Sequence, residues 1–197
     1  SIVGEGGAHT GGTTPTLGQK VFRSWLYSSL VLKVSLQFLQ DSAINVESWL
    51  GARLGERLGR IQNTHFTTGT GVNQPEGIMT NMTVGRQAAV GNTTTFPFDD
   101  VFRTIHSVDI AYRNARCKWM MPDTTVLALR LAKDGQGRYL WPEMGNVQIG
   151  QPISLASYPV VVNNDVAAMA ASAKAASFGD HSAYKIRRVS SLTIVRL

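Results

Sequence analysis

VSLQFLQDSAINVESWLGARLGERLGRIQNTHF, residues Val34–Phe66, is the stretch whose reading decides the fold. Its apolar positions Leu36, Leu39, Ala43, Val46, Leu50, Leu54, Leu58 and Ile61 fall three or four residues apart throughout. The mean spacing is about 3.6, the helical repeat, so these positions form one continuous apolar stripe. Helical from end to end, the stretch would run about 50 Å at about 1.5 Å per residue. That exceeds what a small domain needs, and the helix is expected to act as a spine for the rest of the chain. Asp41-Ser42 and Asn45 interrupt the stripe with residues that favour helix starts, because their side chains accept backbone N–H bonds. The expectation is therefore a helical stretch before Asp41, a bend, and a second, longer helix beginning near Asn45.

Gly51, Gly55 and Gly59 lie four apart, on one line of that helix. Each disfavours a helix interior by about 1 kcal/mol relative to alanine. Three in register point to a close neighbour along the line; the alternative is a solvent face that merely tolerates them. Arg53, Glu56, Arg57 and Arg60 surround the line and exclude a bilayer segment.

The chain has 197 residues, suited to one or two domains with a substantial core. No run of 18 apolar residues occurs, and the start SIVGEGGAH lacks a secretory profile. A membrane partner is not expected. Cys117 is the single cysteine, which excludes an internal disulfide framework and fits a reducing compartment. Arg116 and Lys118 beside it would favour a thiolate, but the simpler reading is a residue entering a strand. Serine at position 1 fits a processed product. The net charge is +6, and the tail from His181 onward holds Lys185, Arg187, Arg188 and Arg196 with no acid. This balance supports proximity to nucleic acid only in a general way.

Residues 1–20 are rich in glycine and threonine, and QKVFRSWLYSSLVL (19–32) has strand-type residues. A protruding hairpin is expected over 1–33, disordered or laid on a neighbour. In TTGTGVNQPEGIM (67–79), glycines permit a tight path and Pro75 marks a turn. The segment lacks the lysine of a Walker loop and the third glycine of a dinucleotide turn, so no phosphate site is expected. Further along, 81–91 reads as a short strand region. Phe98–Tyr112 reads as a helix, with Asp99-Asp100 in its first turn and a buried stripe of Val101, Phe102, Ile105, Val108 and Tyr112. Lys118–Met121 is a brief strand, and Pro122-Asp123 open another helix. Asp134–Gly137 is a turn. Ile153–Val162 reads as one buried strand. VAAMAASAKAAS is a short helix or a loop, and Tyr184–Val189 and Leu192–Arg196 alternate as two strands.

Catalytic chemistry finds no footing. His9, His65, His106 and His181 are scattered without metal-ligand spacing. GxSxG is absent, no signature accompanies a Cys117–His106 pair, and adjacent Asp99 and Asp100 diverge on a helix. No catalytic residue, metal or cofactor is expected.

Four stretches, in order, resemble the major capsid proteins of tailed bacteriophages, the Hong Kong 97-like family. They are VGEGGAHTGGTTPTLGQKVFRSWLYSSLVLKVSLQFLQDSAINVESWL, GTGVNQPEGIM (69–79), KWMMPDTTVLALRLAKDGQGRYLWPE (118–143), and the run from ISLASYPVVVNNDV through FGDHSAYKIRRVSSLTIVR. The resemblance implies an α+β fold. Residues 1–33 would be an extended loop, and 34–66 with about 176–197 a peripheral domain holding the spine helix and long strands. Residues from about 67 to 175 would be an axial domain with a central mixed sheet flanked by helices. It implies a non-enzymatic shell protein that assembles with itself into hexamers and pentamers of an icosahedral particle around double-stranded DNA, held non-specifically. Scaffolding protein, maturation protease and portal would be further partners, with assembly in the host cytoplasm and residence in the virion. Inter-subunit contacts would come from Gly6, Gly7, Gly11, Gly12, Lys20 and Arg23 of the loop. Gly51, Gly55 and Gly59 would accommodate a packed backbone, and Arg53, Arg57 and Arg60 would face DNA. Family members carry more sequence ahead of the loop and beyond Leu197, which implies a trimmed form here. Some relatives crosslink through a loop lysine and an asparagine. Lys20 stands in the loop and Lys33 at its base, but no asparagine is identifiable and the chemistry is not carried over. An encapsulin-type compartment shell, with the same fold around protein cargo, and a DNA-binding module using the basic tail are the alternative readings.

Overall fold

The computed structural model describes residues 23–28, 33–35, 37–38, 42, 45–141 and 154–189. The spine is helix α1, Val46–Thr68, whose N-cap is Asn45: its Oδ1 accepts the Ser48 N–H at 3.0 Å. The start expected near Asn45 is thus observed. The helix runs two residues past Phe66 and closes where Gly69 N donates to His65 O at 2.9 Å. Its 23 residues give a rod of about 34 Å rather than about 50 Å. Residues 37–38 are helical, but most of the stretch before Asp41 lies outside the described residues. So do residues 1–22 of the expected hairpin, while 23–28 are extended without strand pairing.

After α1 the chain folds back through a glycine turn. Thr70 bridges Glu76, Gly71 (φ +80°) and Asn73 (φ +55°) take left-handed conformations, and Gly77 N donates to Gly69 O at 2.8 Å. A one-turn helix, α2 (Ile78–Asn81), follows. Its end is held by Lys174, whose Nζ donates to the carbonyls of Met79, Thr80 and Met82 at 2.8, 3.1 and 2.8 Å. A cation suits the carbonyl-rich end of a helix. We expect Lys174→Met, which keeps the stem but strands three carbonyls, to destabilise the chain by about 2–3 kcal/mol. Urea denaturation of the purified protein checks this.

Residues 81–91 form no strand: apart from the helix-end Asn81 they are irregular and mostly exposed, and they pair with no strand among the described residues. The helix expected over Phe98–Tyr112 is two pieces. Helix α3 covers Phe98–Ser107, Val108 turns extended, and Asp109 caps a 3-10 turn at Ile110–Tyr112 by accepting the Ala111 N–H at 2.8 Å. Val101 and Ile105 are buried, but Phe102 is 53% and Tyr112 72% exposed. Phe102 sits a helical step round from the buried line, and Tyr112 lies beyond the break. Asp100 is more than a helix-start residue. It is buried and pairs with Arg86 Nε at 2.7 Å.

The sheet is mixed and four-stranded. Strand β1 (Lys118–Met121) is followed by helix α4 (Asp123–Arg130), and then by a hairpin of β2 (Ser154–Leu155) and β3 (Tyr158–Val162). β4 (Ser177–Gly179) completes the order β2-β3-β1-β4. β3 runs parallel to β1, with Trp119 opposite Val160, and β4 runs antiparallel, with Trp119 opposite Phe178. The single strand expected over Ile153–Val162 is therefore corrected to a hairpin, whose turn places Ala156 and Ser157 at φ +50° and +69°. Paired positive φ values match the twist of the flanking strands, so the turn folds the segment back on itself. Its burial is likewise partial: Leu155 and Val160 are covered, Val161 and Val162 are not.

Trp119, Met121, Leu129, Val126 and Cys117 centre the core, joined by Val101 and Ile105 from α3, Trp141, Leu155, Val160 and Phe178. The alanine-rich segment resolves to loop and turns. Tyr184–Val189 is irregular rather than strand, with no paired strand among the described residues, and Leu192–Arg196 lies outside the described residues. The α+β arrangement, a mixed sheet with helices, is as expected.

Candidate functional site

Two glycines of the line, Gly55 and Gly59, border a groove. One side of α1 (Gly55, Leu58, Gly59, Gln62, Phe66) floors this groove of about 1050 Å³. Arg23–Tyr27 forms one wall, Pro75–Ile78 with Asn81 and Met82 lines another side, and Ala183–Val189 forms the remaining wall. Gly51 and Gly55 are half-buried, whereas Gly59 is exposed and has open space where a side chain would stand.

Specific bonds hold the walls to the helix. Tyr27 Oη and His65 Nδ1 share a hydrogen bond at 2.9 Å, tying 23–28 to α1. Tyr184 Oη donates to Glu76 O at 2.7 Å, tying the closing segment to the glycine turn. Burial, with help from Glu76 and Tyr27, pushes the Tyr184 phenol above its usual range, so it stays a donor. Asp180 caps the 3-10 turn His181–Ala183. Its Oδ1 accepts Ser182 Oγ at 2.6 Å and Ser182 N at 2.9 Å, and these bonds hold its carboxyl below the usual range.

A second contact joins the far side of α1 to the sheet. The run Asn163-Asn164-Asp165, just after β3, reaches the last turns of the helix. Asn163 Nδ2 donates to Thr67 Oγ1 at 2.9 Å, and Asn63 Nδ2 donates to Asn163 Oδ1 at 3.0 Å and also to Asp165. Thr64 Oγ1 donates to Asp165 Oδ1 at 3.0 Å, and Asn163 N returns to Met121 O at 2.9 Å. Sequence reasoning missed this latch; an Asn-Asn-Asp run after a strand was the only signal available. It missed Lys174 for the same reason, since its carbonyl partners are about ninety residues away in sequence.

At about 100° per residue, Arg53, Arg57 and Arg60 lie about 170° round the helix from the glycine line. They are exposed, on the face turned away from the groove. Glu56 pairs with both Arg53 and Arg60, Arg53 lies over the Trp49 ring at 5.8 Å, and Arg57 has no partner among the described residues. Gly6, Gly7, Gly11, Gly12 and Lys20 lie outside the described residues, whereas Arg23 is exposed on the groove wall. The basic tail is not a free charge run: Lys185, Arg187 and Arg188 line the same groove.

Nothing resembling an active centre is assembled among the described residues. Cys117 is buried, its thiol pointing to Tyr112 O at 3.4 Å, and His106 contacts Arg113 instead. His181 bonds Ser177 Oγ through Nε2 at 3.1 Å, and burial pushes it below its usual range. No group of three or more potential metal ligands occurs among the described residues, nor any helix long and apolar enough to cross a membrane.

A family model described as the phage capsid family matches residues 1–197. The chain belongs to that family. Two solved structures are similar, the capsids of a native and an empty GTA (gene transfer agent) particle, each computed with C5 symmetry. Both match with a TM-score of 0.63, at 31% and 32% identity, over 74% of this chain and 52% and 53% of theirs. This capsid protein therefore spans about half the length of those chains. No curated protein matches. A phage-type capsid protein is a structural protein of a particle.

Proposed function

We propose that this capsid protein is a tile of an icosahedral shell, which associates with its own copies into hexamers and pentamers and encloses double-stranded DNA. The family match over residues 1–197 is the observation that carries the reading. Residues 1–33 act as an extended loop laid over an adjacent copy, with Gly6, Gly7, Gly11 and Gly12 giving its path and Lys20 and Arg23 its charge. Residues 34–66 and the closing segment form a peripheral domain, and residues from about 67 to 175 form an axial one. The Ser177–Gly179 strand stays with the central sheet, because it pairs with β1. Arg53, Arg57 and Arg60 face the packaged duplex, and their contribution weakens as salt rises. Scaffold, maturation protease and portal act on the same particle, which assembles in the host cytoplasm.

Electron microscopy of the protein expressed with its flanking sequence tests this. Closed shells or five- and six-fold rings are the expected result. Monomers under every assembly condition would sink the reading.

A further inference from the structure

The groove on the glycine face of α1 has a chemistry that the shell reading does not use. Its floor is apolar at Leu58, Phe66, Ile78 and Met82, while among the described residues its walls carry Arg23, Lys185, Arg187 and Arg188 against Glu76 and Asp180. Asp180 caps its own turn, and Glu76, like Arg187, is engaged within the chain. Arg23 and Arg188 are exposed and have no ionic partner among the described residues, and Lys185 Nζ reaches only Ser182 O, at 2.8 Å.

We propose that this groove docks a segment of another protein in which acidic and apolar residues alternate. Carboxylates meet Arg23, Arg188 and Lys185 on the rims, and apolar side chains enter the floor. Charge complementarity of this kind sets partner choice and approach, and an apolar floor supplies the anchor. A duplex fits poorly, because phosphates gain nothing from Phe66 and Met82. The chain's own undescribed stretches fit poorly too: residues 1–22 hold one acid, Glu5, the undescribed residues within 29–44 hold one, Asp41, residues 142–153 hold one, Glu143, and residues 190–197 hold none. The groove is open along the helix between walls at Arg23–Tyr27 and Ala183–Val189, a shape that suits a chain segment. The glycines explain the access. At Gly59 nothing lies within 4 Å of where a Cβ would stand, so the occupant approaches the helix backbone itself.

Fluorescence anisotropy on the full, unassembled chain tests the proposal independently of shell formation. The probe is a labelled twelve-residue peptide alternating Glu and Leu. The competitors are its Lys-for-Glu counterpart, its Ser-for-Leu counterpart, a peptide of residues 1–22 and a short DNA duplex. The Glu/Leu peptide is expected to bind at least tenfold tighter than all four, and to weaken as salt rises. Gly59→Leu, whose Cβ meets nothing within 4 Å, projects a side chain into the groove and should weaken binding at least tenfold with the circular dichroism unchanged. Arg23→Glu with Arg188→Glu should do the same. Equal binding of the Lys-for-Glu peptide, indifference to Gly59→Leu, or tighter binding of the 1–22 peptide or of DNA would each overturn it.

Discussion

Trp119→Ala is expected to destabilise the chain by about 3–5 kcal/mol, the usual range for removing a large aromatic from a packed core. Trp119 is fully buried on the strand that sits between β3 and β4. Its ring stands 4.8 Å from that of Phe178 and opposite Val160, so truncation opens a cavity shared by three strands. A domain of ordinary stability has about 5–15 kcal/mol in hand, so the variant loses about a fifth of that at the least. Trp119→Phe separates packing from polarity. The indole Nε1 is buried without a hydrogen-bond partner, so phenylalanine removes an orphaned donor along with part of the ring. We expect a loss below about 1.5 kcal/mol for that change. Urea denaturation followed by far-ultraviolet circular dichroism measures both without relying on the tryptophan signal. Equal losses for the two variants would show that the ring's volume does not hold this core together.

The second large effect sets two glycines against each other. At Gly77 an added Cβ would stand 2.5 Å from Gly69 N and 2.6 Å from the carbonyl carbon and oxygen of Thr67, all of them backbone. The turn that joins α1 to the rest of the chain would have to shift, and Gly77→Ala should be destabilising by about 3 kcal/mol. Gly59 lies within α1, and the same methyl group would meet nothing within 4 Å. Alanine also favours a helix interior over glycine, so Gly59→Ala should stabilise by about 1 kcal/mol. The denaturation midpoints of the two variants should therefore move in opposite directions.

Much of the architecture was legible because its causes are local. The helical period from Val46 to Ile61, the Asn45 cap, the Pro122-Asp123 start, the brief Lys118–Met121 strand and the turn at Asp134 each rest on interactions within a few residues. Asp134 accepts the backbone N–H groups of Gln136 and Arg138, both at 2.9 Å, within its own loop. The glycines of 67–79 were legible for the same reason, since a tight path demands them wherever the chain goes next. The ordered motifs added the family, to which the full-length family match now assigns the chain.

Other features depended on partners far along the chain. Residues 81–91 and Tyr184–Val189 carry strand-type residues, yet they pair with no strand among the described residues and stay irregular. Ile153–Val162 meets itself and becomes a hairpin. Phe102 is apolar and in phase, but the core beneath α3 is filled by Val101 and Ile105. The candidate site belongs wholly to this second class. The alternation of Tyr184–Val189 and the charge of Lys185, Arg187 and Arg188 were visible in the sequence, but not that they wall a groove over Gly55 and Gly59. Nor was it visible that Asn163 and Asp165 grip Asn63, Thr64 and Thr67 about a hundred residues earlier. Sequence alone determined which segments could be helix, strand or turn, because those preferences are set by neighbouring backbone and side-chain bonds. Tertiary structure alone decided which preferences were realised and what faces the helix, because burial and pairing depend on distances across the folded chain.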